Sequence, residues 1–214
     1  MRHSIFVLAL FVLAATRASA VPVFDRPAAD PFSAGTLFSD VSQPREAATP
    51  LLLERGAEIA NLIWWGGYFG VATPGAASPF VISLYHDESG IPADAPFWSA
   101  AVSADVAPVA GPVPQFSYSA TVPTGMVIPG GVPIWISIVE NDGATDATFA
   151  WRKSSESGVS FSRPDGTSDW VAVPGAGGLR LEGTLVTAVP EPASAALTAL
   201  GLAALCARRG QRRR

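Results

Sequence analysis

Cysteine is almost absent from this 214-residue chain: the only one, Cys206, sits in an apolar run near the C-terminus. Everything before that run is free of disulfides, so a domain there depends on a packed core. Cys206 has no partner cysteine and no histidine near it, and reads as a small apolar residue of the run rather than a nucleophile or lipid attachment point. Histidine is scarce too, with only His86 beyond the first segment. A Ser-His-Asp triad through His86 fails on alternation, because neighbouring Asp87 points to the opposite face of a strand. No Gly-x-Ser-x-Gly elbow occurs, and one histidine without domain cysteines falls short of a zinc set. The acids at Asp87, Glu88, Asp94, Asp142, Asp146, Asp165 and Asp169 lie mostly in turns. Nothing in the sequence sets two of them across a cleft as glycoside hydrolysis requires. The expectation is a non-enzymatic protein, with a secreted hydrolase as the weakest alternative.

Lysine is the next absence: Lys153 is the only one. Between Val21 and Val189 the chain holds seven basic residues against seventeen acidic ones, a formal balance of −10. Such a segment repels phosphate backbones, and no basic stripe with interleaved aromatics offsets it, so nucleic acid is not an expected partner. The charge suits solubility outside the cell or the binding of a divalent cation. Long helical periodicity is missing before the C-terminus as well. The chain is rich instead in Gly, Pro, Val, Ala and Ser, a composition that favours short strands joined by turns.

The two ends carry the clearest signals. Met1 to Ala20 reads as a secretory signal peptide: Arg2 and His3 open it, and Ile5 to Ala15 is an apolar run too short to span a bilayer. Ala18 and Ala20 fit the small-x-small cleavage rule, which starts the mature chain at Val21. At the other end, Val189-Pro190-Glu191-Pro192 is followed by the Ala/Leu-rich stretch Ala193 to Ala207 and then by Arg208, Arg209, Arg212, Arg213 and Arg214. Prolines break regular structure, the apolar run reads as a single C-terminal helix that enters a bilayer, and the arginines hold its end on the cytoplasmic side. As a helix the run spans about 22 Å, short of a ~30 Å hydrocarbon core. It therefore suits a temporary hold rather than a lasting anchor.

This order of motif, apolar run and arginines resembles the PEP-CTERM sorting signal of Gram-negative bacteria. That signal is read by exosortase, a membrane-embedded cysteine protease or transpeptidase. The resemblance covers about 25 residues and implies processing near Pro190-Glu191. The implied route uses the export machinery and signal peptidase, then a transient hold in the inner membrane, then delivery to the outer surface or the extracellular polysaccharide matrix.

Between the ends, residues 21–50 read as irregular, with one edge strand around Phe32 to Ser39. Residues 51–187 read as an all-β domain, a jelly-roll-like β-sandwich of roughly eight strands, and 188–214 as the sorting tail. Strands are expected at Leu51 to Val71, Phe80 to His86, Phe97 to Val106, Gln115 to Val122, Ile134 to Glu140, Phe149 to Lys153 and Gly178 to Thr187. Ile59 and Ile63 fall on one face of the first, Leu62 and Trp64 on the other, and Gly66-Gly67 suggests a bulge. Ser154 to Asp169 reads as a loop. The Trp64 to Gly66 segment, Tyr85 to Pro92, Ile134 to Ile138 and Trp151-Arg152 are similar to an uncharacterised exported β-domain found in many PEP-CTERM proteins. That family brings no activity with it.

Two binding chemistries remain. Glu140 to Asp146 offers oxygen ligands in a short loop, with Asp142 and Asp146 the candidate calcium ligands; turn formation by Asn141-Asp142-Gly143 accounts for the same residues. Six tryptophans could stack on sugars, yet most lie in strands, where large aromatics fill a core. Trp98 and Trp170, beside Pro, Asp and Ser, are the candidates for exposed sugar stacking, as in a carbohydrate-binding module, with calcium assisting.

Overall fold

The computed structural model describes residues 20–29, 35–40, 45–69, 77–110, 114–141, 148–165 and 168–186. These form an all-β structure of thirteen strands, with no helix among the described residues and hence none long and apolar enough to cross a membrane. The strands are β1 (Val21–Arg26), β2 (Thr36–Phe38), β3 (Glu46–Leu51), β4 (Ala57–Phe69), β5 (Ala77–His86), β6 (Trp98–Val109) and β7 (Gln115–Thr121). After them come β8 (Val127–Ile128), β9 (Ile134–Glu140), β10 (Thr148–Arg152), β11 (Val159–Arg163), β12 (Val171–Pro174) and β13 (Leu179–Leu185). All pair into one antiparallel sheet in the order β1-β13-β4-β7-β6-β5-β9-β3-β11-β12, with β10 joined to β2 and β4, and β8 to β4.

The sheet curls. The Trp64 ring on β4 packs edge-on against Phe80 on β5 with centroids 5.0 Å apart, although β7 and β6 separate those strands in the ladder. Three ladder steps would hold them ~14 Å apart in a flat sheet. Curling lets Trp64, Phe80, Tyr118 and Phe149 form one aromatic nucleus, each pair adding about 0.5–1.5 kcal/mol beyond area burial. Around it lie Leu62, Ile82, Leu84, Ile136, Ile138 and Leu181, all buried. One end of the curl is closed by hydrogen bonds. The Ser39 N–H donates to the Phe149 carbonyl and the Glu140 N–H to the Ser39 carbonyl. The continuation of β2 thus bridges β9 to β10, and β10 returns to β4.

Six expected strands recur near their expected bounds, the first alone starting later at Ala57, and Phe80, Ile82 and Leu84 share the buried face as alternation requires. The strand count of roughly eight is too low. Residues 21–50 hold three strands rather than one, and the segment 154–169, read as a loop, contains β11. Tertiary pairing overrides the prolines of the first place and the polar residues of β11 in the second. Pro22 lies on β1, which takes a partner only from β13. Pro50 pairs with Trp135 on β9 at a point where β11 has already left β3, so the absent N–H costs no ladder bond. Within β4, Ile59 and Ile63 do not share a face. Asn61 pairs with Glu182 and Ile59 with Gly183, which leaves Ala60 as an extra residue. This bulge turns Ile59 into the core beside Leu62 and Trp64 while Ile63 faces outward. Gly66-Gly67 continue the ladder instead: Gly66 pairs with Phe116 of β7 on one edge and Trp151 of β10 on the other, where β10 takes over from β13.

Candidate functional site

Three places concentrate polar or apolar groups beyond what packing alone needs. The first is the end of the domain where the described chain enters and leaves. Val21 pairs with Gly183, and the Val186 N–H donates to the Gly56 carbonyl at 2.8 Å, so both chain ends emerge at one place. A groove of about 340 Å³ lies there, lined by Val21, Phe24, Leu52, Leu53, Arg55 and Leu185 among others. Around it Val21, Leu52, Val127, Val132 and Val186 are 46–57% exposed. The 127–132 turn belongs to the same end, since the Gly131 N–H donates to the Leu53 carbonyl. Its Gly131 has φ +71°, a conformation that glycine adopts without strain.

The second place is an aromatic cluster on the outer face of β5, β9, β3 and β11. Glu46 and Arg163 form a buried ion pair, Nη2 to Oε2 2.6 Å, and Arg163 Nε donates to the same oxygen at 2.8 Å. The Tyr85 hydroxyl donates to Glu46 Oε1 at 2.6 Å. Arg163 also donates to the Asp94 carbonyl and to the Tyr85 oxygen, and its guanidinium lies over Trp170, 4.2 Å from the ring centroid. Burial, then the charge of Glu46 and the hydrogen bond to it, push the Tyr85 hydroxyl well up. Trp135 packs edge-on against Phe161 and donates from Nε1 to Asp87 at 2.8 Å. The set is a satisfied lock: it ties the loop after β5 and the segment before β12 onto the sheet. The sequence reading missed it because Glu46 and Arg163 fall in segments taken as irregular. The alternation Val159-Ser160-Phe161-Ser162-Arg163 is the signal that could have found it.

The third place is the closed end of the curl. Glu140, inward-facing and 1% exposed, accepts from the Tyr68 hydroxyl, and buried Asp40 accepts from the Phe149 N–H at 2.7 Å. Burial, reinforced by the hydrogen bond to Glu140, pushes Tyr68 far up, and burial does the same to Tyr118. The Tyr118 hydroxyl and Trp64 Nε1 have no hydrogen-bond partner among the described residues.

The residues singled out from sequence are scattered over these places. Trp170 is half-buried in the outer cluster, with one ring face under Arg163. Trp98 is half-buried against the main core. Trp65, by contrast, joins neither cluster; it lies half-exposed on the outer face of β4, opposite Ser117. Four residues back along β4, the Asn61 amide donates to Glu182 and the Ser119 hydroxyl to Asn61. His86 is exposed and stacks on Phe97 at 4.3 Å. Asp87 is engaged by Trp135 and by the Gly90 N–H. Glu140, assigned from sequence to a cation loop, points inward to Tyr68. Asp142 and Asp146 lie outside the described residues, as do Ala18, Val189, Pro190, Glu191, Pro192 and the five terminal arginines; Ala20 is described and exposed. Among the described residues no group of three His, Cys, Asp or Glu could hold a metal ion. No protein-family model, curated protein or solved structure matches the chain.

Proposed function

We propose that the chain is an exported, surface-sorted, non-enzymatic β-protein, carried out by its first segment and held in the inner membrane by its tail. An exosortase-like enzyme then releases it to the outer surface or the polysaccharide matrix. The thirteen strands are read as a jelly-roll-like sandwich whose walls meet at the Trp64–Phe80 contact. The observation that carries the reading is the pairing of Val21 with Gly183. It sets the residue after the leader's cleavage site beside the strand that runs into the sorting tail. A domain attached through one end leaves the opposite end and the outer sheet face clear of its tethers. The strongly acidic balance between the two signals fits a soluble life outside the cell.

The test replaces Pro190-Glu191-Pro192 with alanines in a host that carries an exosortase-like enzyme. The variant is expected to stay in the inner-membrane fraction with its tail attached; normal release and surface delivery refute the proposal. A second reading, a carbohydrate-binding module in the same matrix, draws on Trp65, whose half-exposed side chain stands on the outer face of β4 opposite Ser117. Stacking on such a ring contributes to sugar recognition when polar groups flank it. On a glycan array run with and without chelator, saccharide binding that Trp65→Ala abolishes supports this reading, and no binding under either condition eliminates it.

A further inference from the structure

We infer that in the membrane-held precursor the apolar end of the domain rests on the surface of a zwitterionic phospholipid bilayer. The inference depends on the proposal that the tail inserts, and it adds a contact made by the folded domain itself. Five side chains at this end face solvent and are apolar without serving the core, Val21, Leu52, Val127, Val132 and Val186, with exposed Glu54, Arg55 and Glu58 at their rim. Ile91 and Phe97, also exposed, flank the loop at the same ends of β5 and β6, where His86 pairs with Ile134 and Leu84 with Trp98. Exposed apolar patches rimmed by polar residues mark contact surfaces.

Tether length names the occupant. Seven residue steps separate Val186 from Ala193, where the apolar run begins, and five separate Ala20 from Ala15. Fully extended, these reach about 25 Å and about 18 Å. The tail leaves this end and holds it within about 25 Å of the bilayer after the leader is removed, and before removal the leader holds the same end within about 18 Å. Charge selects the lipid. A domain of net −10 is repelled by anionic headgroups, and Arg55 beside Glu54 adds no net attraction. A neutral zwitterionic surface accepts shallow Val and Leu insertion without that penalty.

The experiment uses the full chain in phosphatidylcholine vesicles whose lipids carry a quencher near the headgroup or deep in the acyl chains. A fluorophore on native Cys206 reports tail insertion. On a Cys206→Ala background, Leu52→Cys reports the apolar end, and Ala77→Cys, at the exposed start of β5, the opposite end. The expected result is deep quenching at Cys206 and shallow quenching of about two-fold at the Leu52 label, with little at the Ala77 label. Phosphatidylglycerol added to the vesicles weakens the Leu52 signal. Quenching at Cys206 without quenching at Leu52 overturns the inference while leaving the tail reading intact. A Leu52 label that is shielded yet unquenched means that protein covers this end, from the tail or a second copy, and also overturns it. Absence of quenching at Cys206 removes the tail reading and the inference together.

Discussion

Tyr68, Tyr85 and Tyr118 each bury a phenol, and burial is the largest cause that holds all three above the ordinary value of 10.0. A phenol that keeps its proton in the folded state but loses it in the unfolded chain stabilises the fold below about pH 10 and stops doing so as pH rises. Arg26 acts in the opposite sense. Burial pulls its guanidinium down to about 10 and lowers the partly buried Lys153 amine as well, so unfolding takes up protons there; but these are two groups against three. The midpoint temperature should therefore fall between about pH 10 and 12, with phenolate absorbance rising together with unfolding rather than before it. Phenolate that appears while the fold stays intact would contradict this. Sequence located these residues better than it described their surroundings. Alternation put Leu62 and Trp64 on one face of their strand and Glu140 on the face of Ile134, Ile136 and Ile138, but a carboxylate at a strand end reads as solvent-facing, and the structure turns it inward. Trp98 and Trp170 were chosen for polar neighbours in sequence; the structure packs both and leaves Trp65 half-exposed opposite Ser117 of β7.

Among the elements, strands with an apolar face were legible, and those held by partners distant in sequence were not. β9 is Ile134–Glu140 in both the sequence and the structure, since Ile134, Ile136 and Ile138 alternate without interruption. β1, β3 and β11 carry prolines or polar residues and take their strand form from β13, β9 and each other. The bulge in β4 shows the limit most clearly. Alternation fixes faces only while the register is unbroken, and the extra residue Ala60 arises from pairing with β13, more than a hundred residues away. Gly183 allows it: a side-chain carbon there would run into the Glu58 carbonyl oxygen. Gly183→Ala should cost about 1–3 kcal/mol by overpacking, roughly 2–4 °C of melting temperature per kcal/mol in a chain of this size. An unchanged melting temperature would show that the bulge does not depend on the glycine.

For the molecule as a whole, β1 and β13 are neighbours, so the described chain enters and leaves at one end, the end to which the proposed leader and tail are attached. Composition had already indicated an all-β chain without disulfides and with acidic charge. The adjacency of the ends was not readable, because strand order depends on pairing across the full length of the domain. Removal of both ends on the way to the surface is read out by the intact mass of the protein recovered from the cell surface. The predicted mass corresponds to a chain that begins at Val21 and ends near Pro190-Glu191, without the apolar run and the arginines. Recovery of the 214-residue chain, or of one that still carries Arg208 to Arg214, would contradict it.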